Sequence, residues 1–408
     1  MLLRMIGFLN LFLFGLSTLF TFLVVGPAQL LALPWDPDRR VAAALGRLTW
    51  GVGMFAIEPF WRVTITGKER LQGGPWILVA NHQSSLDIPF LLHLPIPLRL
   101  VGRPGVRKMP VFGQMLRFGR HVVLGEEDTV EGLARCQDLL SKGITIAIFP
   151  EGTRGEGKEL LPFSRGAFEL ALRTNRPLLP VVIRGTSDAL PKGSPFCREK
   201  VNYFHMAVLD PVPVPGQASP AARRRLATEV RQRMELAFYR PRPHLLIRSL
   251  FERYRSSGKM AAGFARGKVS WDPVFWALLE RLPEEGSLLD VGCGEGLLGL
   301  YLRLGGKKLN ILGVDHDGAR IARAQRAAAG LPDLEFQVAD ARSVEGSFDV
   351  ITLIDVLHYL PTEAQAALLA RLVGMLRPGG RLYLRDPEPG RGLAGWWTRA
   401  SERLFVAL

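Results

Sequence analysis

Two stretches of this chain carry residue types that can do chemistry: Asn81-His82-Gln83-Ser84-Ser85-Leu86-Asp87 and Phe149-Pro150-Glu151-Gly152-Thr153-Arg154. Each closes an apolar, β-prone run, Trp76 to Ala80 in the first case and Ile144 to Phe149 in the second. His82 is the side-chain type best suited to accept a proton near neutral pH, and a carboxylate such as Asp87 can orient its ring and stabilise the imidazolium. Arg154 beside Thr153 and Gly152 suits a phosphate monoester, since it offers a charged fork and a backbone that lets the ligand approach. Together these residues describe a hydroxyl activated beside a phosphate.

The elements that must position them can be read from the same stretches. His82 stands where a strand ends, and Ser84-x-x-Asp87 has capping-box spacing, so Asp87 is expected in a first helical turn and His82 just ahead of it. Five residues along one continuous helix would put the pair on divergent faces, so the break from loop to helix is what lets them meet. The plainer alternatives are a capping Asp with an incidental exposed His and, for the arginines, surface salt bridges.

These blocks resemble the glycerolipid acyltransferases that acylate lysophosphatidic acid. The family's HxxxxD motif falls on His82 and Asp87 and its FPEGTR motif on Phe149 to Arg154. Two weaker blocks keep the family's order: Arg103-Pro104 through Pro110 with Gly113 and Gly119, and Leu179-Pro180-Val181-Val182-Ile183-Arg184-Gly185. The resemblance implies that His82 takes the proton of an acceptor hydroxyl as that oxygen attacks a thioester carbonyl, with Asp87 orienting His82. It implies that Arg154 binds the acceptor phosphate, with Thr153, Gly152 and Glu151 shaping the loop and Arg103 as a further basic contact. The donor it implies is acyl-CoA or an acyl carrier protein thioester, and the acceptor a lysophospholipid.

Further along, strand-like runs end repeatedly on acidic residues: Ser287 to Val291 contains Asp290, and later runs end at Asp315, Asp340 and Asp355. Strand and helix alternate, so a mainly parallel sheet with its site at the carboxyl ends is expected. Asp290-Val291-Gly292-Cys293-Gly294-Glu295-Gly296 resembles the first motif of Rossmann-like methyltransferases that use S-adenosylmethionine. That resemblance implies Asp290, Gly292, Gly294 and Gly296 at the cofactor, Asp315 on its ribose and Asp340 near its adenine. Gly294-x-Gly296-x-x-Gly299 also satisfies the dinucleotide pattern. Asp290, Gly292 and the Ala339-Asp340 pair favour the methyltransferase, and Glu295 would repel a pyrophosphate. Ile354-Asp355-Val356-Leu357-His358-Tyr359 lacks the Pro-Pro-aromatic arrangement of enzymes that methylate nucleic-acid bases, and looks more like methyltransferases of small molecules or lipids. His358 there is either an acceptor contact or a packed histidine at a helix start. The family usually adds two strands beyond the fifth, for which the residues up to Leu408 leave little length.

The balance of 52 basic against 38 acidic residues leaves +14, which favours phospholipid headgroups, CoA phosphates, an acidic carrier or nucleic acid. No aromatic-and-basic RNA-binding motif accompanies the charge, so no nucleic-acid partner is expected. Cys136, Cys197 and Cys293 are too widely spaced for a metal cluster or a disulfide framework, and fit a reducing cytoplasmic setting. No charged residue lies between Met5 and Trp35, and Ile6 to Val25 is long and apolar enough to cross a hydrocarbon core. A signal peptide or a buried core helix would be the rival readings. Pro27 and Pro34 interrupt, Arg39, Arg40 and Arg47 come next, and Val41 to Ile57 is a second apolar stretch. One span or a hairpin dipping into a leaflet is expected, with the arginines favouring a cytoplasmic position for the downstream domains.

The expected architecture is therefore α/β throughout. Residues 1–60 form a membrane helix or hairpin, 61–243 an α/β acyltransferase domain, 244–270 a basic linker and 271–408 a Rossmann-like methyltransferase domain. In the first domain, strands are expected at Trp61 to Thr66, Trp76 to Ala80, Leu98 to Gly102, Ile144 to Phe149 and Leu178 to Ile183. Ser219 to Phe238 reads as a basic amphipathic helix, and the alternating prolines from Asp210 to Pro215 exclude a central strand. The expected activity is acyl transfer to 1-acylglycerol 3-phosphate at a membrane, giving phosphatidic acid, with a fused methyltransferase. The alternatives are acylation and methylation of another lyso- or amino-lipid, a membrane-tethered RNA methyltransferase, or a non-catalytic scaffold in the second half.

Overall fold

The computed structural model describes residues 2–386 apart from 33, 103–104, 106–112, 114–118, 124–128, 195, 198 and 215–217. Arg103, with Pro104, Lys108 and Pro110, lies outside the described residues. The chain divides into two compact units, Met1–Arg240 and Pro241–Leu408.

The first unit opens with helix α1 (Leu2–Ala32), which is long and apolar enough to cross a membrane. Only 22% of its most apolar window is buried, so it is not a core helix. Its polar residues Asn10, Ser17, Thr21 and Gln29 are buried against the unit, while Phe8, Phe12, Leu16, Phe20 and Leu23 are exposed. That is the reverse of a helix on a water-facing surface. Helix α2 (Arg40–Gly46), a π-turned segment (Arg47–Gly53) and helix α3 (Met54–Ile57) continue the apolar region.

The sheet of this unit contains β1 (Trp61–Thr66), β2 (Ile77–Ala80), β3 (Leu98–Gly102), β4 (Val122–Val123), β5 (Thr145–Ile148), β6 (Leu178–Arg184) and β7 (Asn202–Val208). The order is β1-β7-β6-β2-β5-β3-β4, parallel except between β6 and β7. Every residue of β2 and β6 is buried, which is why both read as unbroken apolar runs, as central parallel strands do. Strand β7, like the two-residue β4, is an addition to the expected set. It carries Asn202 and His205 inside, and the His205 ring is met by Thr66 at 3.1 Å and by Arg184 at 2.8 Å. Within the proline-alternating stretch, Val212 makes only an isolated bridge to Leu178. The expected basic helix is Pro220–Tyr239, capped by the Ser219 hydroxyl on the Ala222 N–H and buried at Ala222, Leu226, Val230 and Met234, one turn apart.

The second unit begins earlier than expected. Residues 244–270, whose Arg, Lys, Ser and Gly content suggests a linker, fold instead as helices Pro243–Tyr254 and Lys259–Trp271. Leu246, Leu250 and Tyr254 recur every fourth residue and are buried, as are Ala262, Ala265 and Val269; the basic residues between them occupy the remaining faces. The sheet of this unit is wholly parallel: β8 (Glu285–Val291), β9 (Lys308–Asp315), β10 (Leu334–Val338), β11 (Phe348–Ile354) and β12 (Leu376–Arg385), in the order β10-β9-β8-β11-β12. The order reverses between β8 and β11, and in such sheets ligands bind outside the carboxyl ends at that reversal. Pro378 is accommodated because β12 is an edge strand.

Candidate active sites

In the first unit, β2 runs directly into Asn81, whose amide donates to the Ile183 carbonyl at 2.8 Å and accepts the Ile183 N–H at 2.7 Å. This fixes the end of β2 against β6. His82 is next, and helix α4 (Asp87–Leu92) starts five residues later. His82 Nδ1 lies 2.8 Å from Asp87 Oδ2, which also accepts the N–H groups of Gln83 (2.5 Å) and Ser84 (2.8 Å). Asp87 is fully buried. Half of the expected capping box forms: Asp87 reaches back to the Ser84 N–H, while the Ser84 hydroxyl accepts from Leu86 (3.2 Å) and donates to the Leu190 carbonyl (2.8 Å). The imidazole stacks on Phe149 with ring centroids 4.2 Å apart.

The loop after β5 closes on the same histidine. Glu151 Oε1 accepts the His82 N–H at 2.8 Å and Oε2 accepts the Leu161 N–H at 2.9 Å. Gly155 N–H returns to the His82 carbonyl at 2.8 Å. Glu151, expected among the substrate-binding residues, is thus occupied by backbone. Burial raises its carboxyl above the ordinary value, and the His82 and Leu161 N–H groups pull it back. Gly152 has φ +63° in the turn closed by its own N–H on the Phe149 carbonyl, Thr153 is exposed, and Arg154 Nη1 donates to Ser85 Oγ at 2.7 Å. Lys192 Nζ donates to the Arg154 carbonyl at 2.9 Å, a further cation at this loop that no motif marks. His82, Asp87, Glu151 and Arg154 therefore form one connected site at the carboxyl ends of β2 and β5.

In the second unit, Asp290 is the penultimate residue of β8 and is buried, with Thr352 Oγ1 donating to it at 2.7 Å. Burial pushes its carboxyl up to about 7. Gly292, Gly294 and Gly296 have φ of +68°, +55° and +74°. A Cβ at Gly292 would strike Val356 and one at Gly296 would strike Phe336, but at Gly294 it would meet nothing within 4 Å. Gly294 thus opens onto space that a bound group can fill. Asp315 accepts the N–H groups of Gly294 (2.8 Å) and Asp317 (2.9 Å), leaving lone pairs of its carboxylate for a ligand hydroxyl. Asp340 is half-exposed and gripped by Arg342 at 2.6 Å, which lowers its carboxyl to about 2. Glu295 pairs with Arg323 at 2.8 Å, so its charge is met within the protein. Two side chains carry no sequence motif that marks them. Tyr254, in the expected linker, donates its hydroxyl to the Glu295 carbonyl. Asp386, just past β12, lies 2.8 Å from His358 Nδ1. An acidic residue at the carboxyl end of a strand, as at Asp290 and Asp315, is the available signal for Asp386. Among the described residues no cluster of His, Cys, Asp and Glu could hold a metal ion.

The fold and these two sites define a chain with an acyltransferase-type domain followed by a methyltransferase-type domain. Residues 62–184 match the acyltransferase family model and residues 288–380 the methyltransferase-domain model. The first half is similar to 1-acyl-sn-glycerol-3-phosphate acyltransferases: one of Chlamydomonas reinhardtii is 34% identical over 187 residues, covering 45% of this chain and 55% of that protein. The chloroplastic enzyme LPAT1 of Arabidopsis thaliana is 30% identical over 227 residues, covering 54% of this chain and 62% of that protein. The chain thus matches little more than half the length of these relatives. The crystal structure of the Thermotoga maritima 1-acyl-sn-glycerophosphate acyltransferase aligns with a TM-score of 0.46 at 28% identity, covering 58% of this chain and 99% of that one.

Proposed function

We propose that this protein is a membrane-bound acyltransferase that moves a fatty acyl group from acyl-CoA or an acyl carrier protein thioester to 1-acylglycerol 3-phosphate, giving phosphatidic acid. The observation that carries this reading is the 2.8 Å contact between His82 Nδ1 and buried Asp87 beside the Arg154 loop. A carboxylate only accepts, so Nδ1 carries the proton and Nε2 is the basic nitrogen. His82 Nε2 takes the acceptor hydroxyl proton as that oxygen bonds to the thioester carbonyl carbon. The carbon–sulfur bond then breaks, and the departing thiolate recovers the proton from the imidazolium. Arg154 holds the acceptor phosphate through its guanidinium fork. The apolar exposed face of α1 lies in the bilayer, and Arg39, Arg40 and Arg47 keep the catalytic domain on the cytoplasmic face.

The second unit fits S-adenosylmethionine: Gly294 leaves open space, Asp315 offers acceptors for a ribose, and Asp290 adds an acidic group suited to a cation. Bound there, the cofactor would supply an electrophilic methyl group. Asp340 would share its carboxylate between Arg342 and the adenine. A methyl acceptor bearing N–H or O–H must lose a proton, and His358, oriented by Asp386, is the group that takes it. A lyso- or amino-lipid acceptor would make both units act on related substrates. Lipid mass spectrometry of cells with and without the protein tests the whole reading: phosphatidic acid should fall, and one methylated species should vanish, when the protein is lost. Unchanged phosphatidic acid with lysophosphatidic acid unaccumulated would contradict it.

A further inference from the structure

A cavity of about 240 Å³ lies between α2 and the turn that comes after α4. Arg40, Ala43, Ala44 and Arg47 line one side, recurring at the i, i+3, i+4, i+7 spacing of a single helical face. The two alanines leave room between the two arginines. The opposite wall is apolar, from Leu92 and Pro95 to Leu98, with Ile144, and Arg99 completes the lining. Leu98 opens β3 and Ile144 immediately precedes β5, whereas His82 and Glu151 lie past the far ends of the parallel strands β2 and β5. The cavity therefore sits at the opposite end of the sheet from the His82 site, roughly 15 Å away by strand length.

Its charge is only partly offset: Asp36 and Asp38 lie close enough to Arg99 to stabilise its guanidinium, but the lining itself holds Arg40, Arg47 and Arg99 and no carboxylate. Arg99 is 1% exposed, and among the described residues its guanidinium donates to the carbonyls of Leu98 (3.0 Å), Asp38 (2.6 Å) and Arg39 (3.2 Å) and its Nε meets no partner. Neither of these carboxylates lines the cavity: Asp36 accepts the N–H groups of Arg40 and Val41, which leave its charge in place, and Asp38 pairs with Lys142. Among the described residues no carboxylate pairs with Arg40, Arg47 or Arg99. Three arginines against two nearby carboxylates, one of them shared with Lys142, leave an excess of positive charge at the cavity that an anion would offset. The surroundings specify which anion. Arg40 comes soon after α1 in sequence, and Leu31 in the last turn of α1 and Trp35 just beyond it are 74% and 76% exposed, an apolar and aromatic border typical of a membrane interface.

We propose that this cavity binds the phosphate headgroup of an anionic membrane phospholipid, held by Arg40 and Arg47 above Arg99, with the glycerol and upper chains against the apolar wall. The site is separate from the His82 loop and does not depend on the reaction proposed for it. Native mass spectrometry of the full chain, released from micelles holding equal phosphatidylglycerol and phosphatidylcholine, tests it; phosphatidylglycerol is neither acceptor nor product of the proposed acyl transfer. Phosphatidylglycerol should be retained in preference to phosphatidylcholine, and the double variant Arg40→Gln, Arg47→Gln should lower its retention about tenfold or more. Arg154→Gln should leave retention unchanged, and millimolar inorganic phosphate should not displace the lipid. Equal retention of the two lipids, or full retention by the double variant, would overturn the proposal. So would loss of retention in Arg154→Gln, which assigns the lipid to the catalytic loop, or complete displacement by phosphate, which assigns the site to a free anion.

Discussion

Glu151 accepts the backbone N–H of His82 at 2.8 Å, so a residue of the second motif holds the main chain of the first. Its other oxygen is taken by Leu161, and Gly155 binds the His82 carbonyl. Both main-chain polar groups of the proposed base are thereby fixed by one loop. Glu151→Ala should lower kcat about tenfold or more with little change in acceptor KM, because unpaired buried N–H groups cost about 1–3 kcal/mol each and the loop must rearrange. Steady-state kinetics decide the point. A raised acceptor KM at unchanged kcat would make Glu151 a substrate ligand instead.

Arg154 should act on the acceptor. Arg154→Lys keeps the charge but loses the planar fork, so acceptor KM should rise about tenfold while donor KM stays put. Varying the two substrates separately reads this out, and impaired donor binding with normal acceptor dependence would reassign the residue.

Most strands of both sheets are legible because buried parallel strands are continuous apolar runs closed by Gly, Pro or acidic residues. Strand β7 is hidden because His205 and Asn202 interrupt its run, and their burial depends on Thr66, Arg184 and the carbonyl of Glu199, far away or outside the strand. The helices at 243–271 are hidden by composition: their exposed basic faces outweigh the Leu246, Leu250 and Tyr254 stripe. The His82–Asp87 pair is readable from spacing, since both residues lie on one local turn. The Glu151 clamp is not, because it joins residues 69 positions apart. Nor is the Arg342 grip on Asp340, for alternation of strand and acid says nothing about a side chain's nearest cation.

Asp290 should make the second unit pH-sensitive. Burial raises its carboxyl to about 7 from 3.8, so the unfolded chain releases its proton first. The resulting stabilisation is complete below about pH 4 and is lost as pH rises through about 7, a change on the order of a few kcal/mol. Asp290→Asn should remove that dependence. Urea midpoints of the second unit's transition at pH 5 and pH 8 measure it, and a wild type as stable at pH 8 as at pH 5, relative to the variant, would refute the assignment.

If His358 accepts the methyl acceptor's proton, His358→Ala should lower methyl transfer by roughly two to four orders of magnitude. Asp386→Asn should produce a smaller loss together with a shifted pH profile, because the ring loses its orienting carboxylate. Release of S-adenosylhomocysteine in the presence of lipid extract reports both. Rates near wild type for both variants would leave His358 as a packing residue.

The central claim is that His82, oriented by Asp87, removes the proton of the lysophospholipid hydroxyl. The most direct measurement is thiol release from acyl-CoA by purified, membrane-reconstituted protein in the presence of 1-acylglycerol 3-phosphate. His82→Ala and Asp87→Ala should remain folded, and His82→Ala should lose about two to four orders of magnitude in kcat with thioester binding retained. Acyl transfer by folded His82→Ala at a rate near wild type would contradict the account.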